Sequence, residues 1–374
     1  MANREQAEGV GFARTAFLSA RAAAQVVRTL GVEKVLRGMA SRIEADFLRW
    51  PEFEKKARIA SHSADGVIEL MPIADGRTWS FKYVNGHPRN FRHERPTVMA
   101  FGALARVDNG EPEFLSELTL TTALRTGAMS ALAARHLARP ESRTMALIGN
   151  GAQSEFQALA FHYLVGVRTL RLYDIDPAAT RRLVANLRPF AIETVECASA
   201  AEACRGADII TTVTADATHA AIVTPAMVAP GVHVNAVGGD SPGKTEVAPE
   251  VLERAAVFVE FEPQTRVEGE IQQMPADFPV TEFWKVLRGL APGRADANQV
   301  TVFDSVGFAL EDFSALHFMR DEASALGLVS AIDLIPSLAD PKNLFGLVAC
   351  GDKEARTAGV DDARASPADL MAVQ

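Results

Sequence analysis

The hydrophobic rhythm of the chain changes twice. From Ala20 to Trp50, "ARAAAQVVRTLGVEKVLRGMASRIEADFLRW", apolar residues recur at helical spacing. Val35, Leu36, Met39 and Ile43 share one face, and Gly31 marks a break between two helices. From "ARIASHS" to "VMAFGALARVD" the apolar runs shorten, and the turn signals "ADG", "NGHP" and "DNGEP" separate them. This predicts a mostly antiparallel sheet. Helix returns in "TTALRTGAMSALAARHLARP", where Ala128, Ala131 and Leu132 share a face and Pro140 follows the end.

The second change comes at "TMALIGN". From there, short apolar strands alternate with helical stretches: "TLRLYDID", "TVEC", "DIITTVTA", "VHVNAVGG", "AVFVEF" and "QVTVFDSVG" against "AQSEFQALAFHYLV", "PAATRRLVANLRPF" and "SAAEACRG". Such alternation predicts an α/β fold with a parallel sheet and right-handed crossovers. A further helix, "FALEDFSALHFMRDEASALG", is expected to run away from that sheet. Residues 1–13 read as a loose leader and 351–374 as a poorly ordered tail.

Composition narrows what these elements do. A chain of 374 residues favours two domains, and 48% hydrophobic content suffices for real cores. A net charge of -9 argues against nucleic acid as a partner. No apolar run approaches the ~18 residues of a membrane span, and the first residues lack the order of a secretion signal. Cys197, Cys204 and Cys350 form no CxxC pair and read as free thiols of a reducing compartment, so the cytoplasm is expected. His62, His87 and His93 show no metal-ligand spacing, and no metal is expected. The charges between Arg42 and Lys56 read as a solvated helix face.

The candidate chemistry lies where strands end. In "ALIGNGAQSEFQ", Gly149 and Gly151 stand between a buried strand and a helix, where glycines let the backbone approach a pyrophosphate. The third glycine of the usual fingerprint is replaced by Ser154, so the turn alone is a weak signal. Asp174 closes the next strand, at the place of a ribose-binding acid, and a carboxylate there favours NAD over NADP. A plain helix cap is the competing role for Asp174, and Asp176 suits that role better. In an open parallel sheet, ligands sit beyond the carboxyl ends of the strands. That rule selects Thr212, Thr214, Asp240, Lys244 and Ser305. The alternative for "GGDSPGK" is a tight turn in which Asp240 and Lys244 simply pair with each other.

Six segments in register, "KYVNGHPRN", "LRTGAMSALAARHLARP", "IGNGAQSEFQ", "VGGDSPGKTE", "EGEIQQ" and "VFDSVG", resemble the ornithine cyclodeaminase/μ-crystallin family, above all its bacterial ornithine cyclodeaminases. The resemblance covers about residues 30 to 340. It implies a Rossmann NAD-binding domain over 141–310 and a discontinuous α/β substrate-binding and dimerisation domain over 1–140 together with 311–374. It implies that Arg58 and Lys82 hold a substrate carboxylate, with Glu69 near the substrate, Arg125 beside both cofactor and carboxylate, and Val306 on the substrate side. It implies cofactor contacts at Thr97, Ala152, Gln153, Asp174, Thr214, Lys244 and Ser305, besides the two glycines. It makes Asp240 the catalytic acid–base group.

The implied reaction is conversion of L-ornithine to L-proline and ammonia with tightly held NAD, in a homodimer joined through the N-terminal domain. Arginine suits a carboxylate because it offers a forked donor pair, and lysine adds a point charge. Lys82, flanked by Phe81 and Tyr83, occupies the opposite face of its strand from both. Rival readings are cyclodeamination of lysine, a ketimine reductase or amino-acid dehydrogenase on the same scaffold, and a non-catalytic binding protein.

Overall fold

A computed structural model describes residues 14–215, 219–338 and 340–349. The expected leader, Cys350 and the expected tail lie outside the described residues. The chain forms a large compact unit, Ala16–Ser330, and a second unit made of Met1–Thr15 and Ala331–Gln374. All the candidate site residues belong to the large unit.

Its first half builds a mixed sheet. Strands β1 (Thr15–Leu18), β2 (Glu54–Lys55), β3 (Ile59–His62), β4 (Val67–Ala74), β5 (Thr78–Gly86), β6 (Val98–Arg106) and β7 (Pro112–Glu117) run in the order β1-β7-β6-β5-β4-β2, with β3 also on β4. Pairs β3–β4, β4–β5, β5–β6 and β6–β7 are antiparallel, as the turn signals predict. Strand β1 pairs parallel to β7, and four residues are too short a run for periodicity to have marked it.

Alternation sorts the two faces of this sheet. Ser80, Lys82 and Val84 on β5 point inward and are buried, while Trp79 is exposed on the other face. The inner face is covered by the helix Ala309–Ala325, which also packs on helices Val32–Leu48 and Thr119–Leu137. That helix therefore leaves the parallel sheet of the second half, as expected, and closes the first half's core. Leu310, Phe313, Leu316 and Met319 are buried in it, together with Val35, Leu36, Met39 and Ile43. Gly31, at φ 82, makes the break between Ala20–Leu30 and Val32–Leu48.

The charged stretch near Arg42 is only partly solvated. Asp46 is buried and bonds Ser314 Oγ at 2.8 Å, with Arg42 and Arg49 also on its carboxylate. A buried carboxylate needs such partners, so this helix face is a contact and not a free surface.

The second half is a doubly wound parallel sheet. It holds strands β8 (Thr144–Ile148), which leads into the glycine turn, β9 (Thr169–Tyr173), β10 (Glu193–Glu196), β11 (Ile209–Thr212), β12 (His219–Val223), β13 (His233–Ala236), β14 (Thr245–Val247), β15 (Ala256–Val259), β16 (Thr281–Glu282) and β17 (Thr301–Asp304). Their order is β10-β9-β8-β11-β13-β17-β15-β16, with β12 and β14 pairing apart from this sheet. Every pair is parallel. The winding reverses between β8 and β11, which opens a crevice beyond their carboxyl ends. Among the described residues no helix is long and apolar enough to cross a membrane.

Candidate active site

The crevice is bordered by the turns that follow β8, β9 and β11. Gly149, at φ 90, follows β8, and a Cβ there would lie 2.8 Å from the Val213 carbonyl carbon and oxygen after β11. Only glycine lets those two strand ends close on each other. Gly151 faces open space and is exposed, as is Ala152. Ser154, in place of the third glycine, donates its hydroxyl to Gly151 O at 2.6 Å, and the helix Ser154–Ala160 begins there.

Asp174, at the end of β9, accepts from Asn150 N at 2.5 Å and from Asp176 N at 2.8 Å. Asp176 is the cap of helix Pro177–Leu187, accepting from Ala178 N, which leaves Asp174 facing the glycine turn. Gln153 donates to Ala123 O at 3.0 Å and so ties the glycine turn to the helix carrying Arg125. Gly127 lets that helix lie close, since a Cβ there would be 2.7 Å from Phe156 O. Open space beside Gly151, with a carboxylate at the next strand end, fits a dinucleotide: pyrophosphate against the turn, ribose hydroxyls toward Asp174.

Three cations converge beside this crevice, each already paired with acids. Arg58 donates from Nη1 to Glu69 at 2.9 Å and from Nη2 to the carbonyls of Val306 and Gly307 at 2.5 and 2.7 Å. Its Nε lies 3.0 Å from Glu268, an ion pair too poorly aligned to count as a hydrogen bond. Lys82, only 1% exposed, reaches Asp312 at 2.8 Å. Arg125 meets Asp312 at 3.0 Å and Glu311 at 2.6 Å. Gly307, at φ 74, lies against Arg125, where a Cβ would sit 2.8 Å from Nη1.

These contacts shape the titrations. Burial first, then the Arg125 charge, lower Lys82 from 10.5 to about 8, against the pull of Asp312. Burial lifts Glu311 from 4.5 to about 8 although Arg125 opposes it. Burial likewise raises Glu260, which accepts from Ser305 Oγ at 2.6 Å and from Val306 N at 3.2 Å.

Asp240 stands on the loop after β13, its side chain 51% exposed, 3.0 Å from Lys244 Nζ. The pairing considered as the alternative thus exists. It does not bury the carboxylate, which keeps an open flank at a strand end. Burial works to lower Lys244, and Asp240 and Glu246 outweigh it, so its pKa is raised. The glycines before Asp240 are packed against acids: a Cβ on Gly239 would lie 2.4 Å from Glu270 Oε1. Thr214 donates through its N–H to Glu246 at 2.9 Å and through its hydroxyl to the same oxygen. Thr97 stands before β6, its carbonyl held by His87 N and Asn85 Nδ2, so its partners are in the first sheet.

The structure thus joins Arg58, Glu69, Val306, Lys82 and Arg125 in one buried cluster and puts Gly149, Gly151, Asp174 and Thr214 along the crevice. The sequence reading missed the acids that pair with the cations, Glu268, Glu311 and Asp312, and also Glu260, which holds Ser305. Glu260, Glu311 and Asp312 were signalled by carboxylates inside apolar runs, "VFVEF" and "FALEDFSAL", whereas Glu268 lies in the polar stretch "QTRVEGEIQQ" and carried no such signal. Among the described residues no group of three or more His, Cys, Asp or Glu is placed to hold a metal ion.

A doubly wound parallel sheet with a glycine turn at its switch point defines an α/β protein of the dinucleotide-binding class. The chain belongs to the ornithine cyclodeaminase/mu-crystallin family, whose model matches residues 21–327. It is 55% identical over 332 residues to an ornithine cyclodeaminase of Brucella suis biovar 1, spanning 89% of this chain and 93% of that protein. Among solved structures it is similar to a lysine cyclodeaminase studied for recognition of L-lysine, L-ornithine and L-2,4-diaminobutyric acid. The TM-score is 0.85 at 30% identity, over 89% of this chain and 99% of the other. An archaeal alanine dehydrogenase dimer with bound NAD gives a TM-score of 0.78 at 26% identity, over 86% of this chain and 100% of the other.

Proposed function

We propose that the protein is an NAD-dependent ornithine cyclodeaminase, releasing ammonia from L-ornithine and closing the remainder to L-proline. The observation that carries this reading is the meeting of Arg58, Lys82 and Arg125 within one buried cluster, in a chain 55% identical to a relative of that name. We assign the substrate carboxylate to Arg58 and Lys82, with Arg125 supporting them and Val306 alongside. Fork and point charge together fix its orientation. We assign NAD to Gly149, Gly151, Ala152, Gln153, Asp174, Thr214, Lys244 and Ser305, with Thr97 and Arg125 beside it. Bound there, NAD would supply the site with a hydride acceptor and, once reduced, a hydride donor.

Asp240 takes a proton from the α-ammonium, because the nitrogen lone pair must be free before hydride can leave the α-carbon. Lys244 holds the Asp240 carboxylate on the loop at 3.0 Å. With the carboxylate clamped, the distal amine is kept near the imine carbon, and ring closure gains from that proximity. Asp240 then returns its proton to the departing nitrogen. The division of labour we propose gives 141–310 the cofactor and 1–140 with 311–374 the substrate.

We assign a homodimer contact to the outer face of the first sheet, and its surface supports this reading. Ile59, Leu70 and Phe101 are exposed there in register with Tyr83, and Phe101 stacks on Tyr83. An apolar stripe across four strands is an association surface, and the alanine dehydrogenase relative is a dimer. Free Cys197 and Cys204 agree with a cytoplasmic setting.

The test is incubation with L-ornithine and a trace of NAD⁺. Proline and ammonia should form in large molar excess over cofactor, faster than pipecolate forms from L-lysine. NADH accumulating in step with substrate loss would mean net oxidation and would overturn the assignment.

A further inference from the structure

The reaction proposed above needs a second proton acceptor. A diamino acid enters with two ammonium groups, and the distal one must become neutral before it can attack carbon. Asp240 is committed to the α-nitrogen, and Glu69 is committed to Arg58 Nη1 at 2.9 Å. One carboxylate nearby is engaged by an ion pair alone, without a hydrogen bond. Glu268, at the end of helix Glu262–Glu268, is 5% exposed, and its Oε2 makes no hydrogen bond although Arg58 Nε lies 3.0 Å away. A buried acceptor without a donor is costly and unusual in a settled structure.

Glu268 is also held in register with the Asp240 loop. Gln272 donates to the carbonyls of Glu268, Gly269, Ser241 and Lys244 at 2.9 to 3.2 Å, and its Oε1 accepts from Gly243 N at 2.7 Å. One amide therefore staples the segment carrying Glu268 to the loop carrying Asp240. A Cβ at Gly269 would lie 2.6 Å from Asp304 Oδ1, so the chain beside Glu268 is pressed onto the end of β17. The charged groups facing Glu268 are Arg58 and Glu69 from the first sheet and Asp240 from the loop.

We propose that Glu268 receives the distal ammonium of the diamino-acid substrate and accepts its proton, freeing that amine to close the ring. This rests on the cyclodeaminase reading. One N–H bond breaks and one carboxyl O–H forms. The neutral amine then forms the new C–N bond, and the proton returns to solvent or product in the next cycle. The surroundings of Glu268 suit it to accept a proton. Burial raises it to about 7, with Arg58 pulling down and Glu69 and Asp240 pushing up, and a proton acceptor works best near its operating pH.

The experiment compares wild type, Glu268→Gln and Glu268→Asp, each loaded with NAD⁺. For Glu268→Gln, kcat/KM on L-ornithine should fall about 100-fold or more, and the acid-side inflection of its pH profile near 7 should vanish. Affinity for L-proline, which carries the carboxylate but no distal amine, should stay within about twofold. Glu268→Asp keeps the charge on a shorter arm, so the kcat/KM ratio should shift about tenfold toward L-lysine, one methylene longer. An inflection that persists in Glu268→Gln, an equal loss of proline affinity, or an unchanged lysine-to-ornithine ratio in Glu268→Asp would each reduce Glu268 to a counter-ion of Arg58 and overturn the proposal. A wild type that makes no proline would instead sink the underlying function, and that shows before any variant is compared.

Discussion

The Lys82 ammonium makes a prediction in which stability and ligand binding move in opposite directions with pH. Its folded-state pKa is about 8, against 10.5 for an unperturbed lysine. At about 1.4 kcal/mol per pH unit, that depression costs the folded protein about 3 kcal/mol wherever both states hold the proton. Below pH 8 the full cost stands. Between 8 and 10.5 the folded protein has released the proton and the unfolded chain has not, so raising the pH favours the fold. Lys82→Met keeps an unbranched arm of similar length and leaves Asp312 paired to Arg125 at 3.0 Å. Urea unfolding of both proteins from pH 7 to 10.5 reads the difference between them. The stability of wild type relative to Lys82→Met should rise by about 3 kcal/mol across that window. Over the same range the NAD⁺-loaded wild type should lose affinity for L-proline, because the carboxylate clamp loses a charge. A difference that stays flat with pH would refute the picture of a charged lysine held against its desolvation.

Two substitutions test the crevice and a third tests the acid. Gly149→Ala puts a methyl group 2.8 Å from backbone atoms of Val213 at a positive φ, and urea unfolding should show a loss of about 2–5 kcal/mol. Gly151→Ala meets open space, so it should change stability by less than about 0.5 kcal/mol while weakening NAD⁺ binding measured by fluorescence. Asp240→Asn, at a half-exposed position, should leave the melting temperature within a few degrees of wild type and lower kcat on L-ornithine about 100-fold or more, as read by proline formation.

Most of the fold was legible because its two periods are strong. Val35, Leu36, Met39 and Ile43 repeat along a helix and are all buried. The parallel strands are near-continuous apolar runs, and the glycine turn punctuates the first of them. Short elements escaped, since neither the four residues of β1 nor the two of β16 can display a period. The site divided in the same way. Residues at strand ends follow from a topological rule, so Gly149, Asp174, Asp240 and Ser305 could be named from position. Glu69 and Lys82 are single charges on strands whose neighbours say only which face they occupy, and Arg58 is a single charge just before β3. The resemblance named them, and tertiary packing gave them partners. Glu311 and Asp312 lay unread because an acid on a helix usually means solvent, and here the first turns of the helix, from Ala309 to His317, are buried on every side.

That enclosure carries the last consequence. Arg58, Lys82 and Arg125 face Glu69, Glu268, Glu311 and Asp312, so the cluster holds more acids than cations before a substrate carboxylate arrives. A low-dielectric site cannot carry that excess cheaply, and one acid must keep its proton. Glu311 is suited to do so, raised from 4.5 to about 8 by burial. The unfolded chain gives up this proton near 4.5 and the folded protein holds it until about 8, so the stability it contributes is present at low pH and is lost as pH rises through that window. Glu311→Gln keeps an oxygen for Arg125 and removes the titration. In ligand-free protein its unfolding free energy should decline less steeply from pH 5 to 8 than that of wild type. From pH 7 to 9 the same glutamine should lessen the loss of L-proline affinity that wild type shows, because a carboxylate entering the cluster would no longer have to draw a proton back onto Glu311. Equal slopes in the two proteins would mean that the excess charge is neutralised elsewhere, with Glu268 the next acid to test.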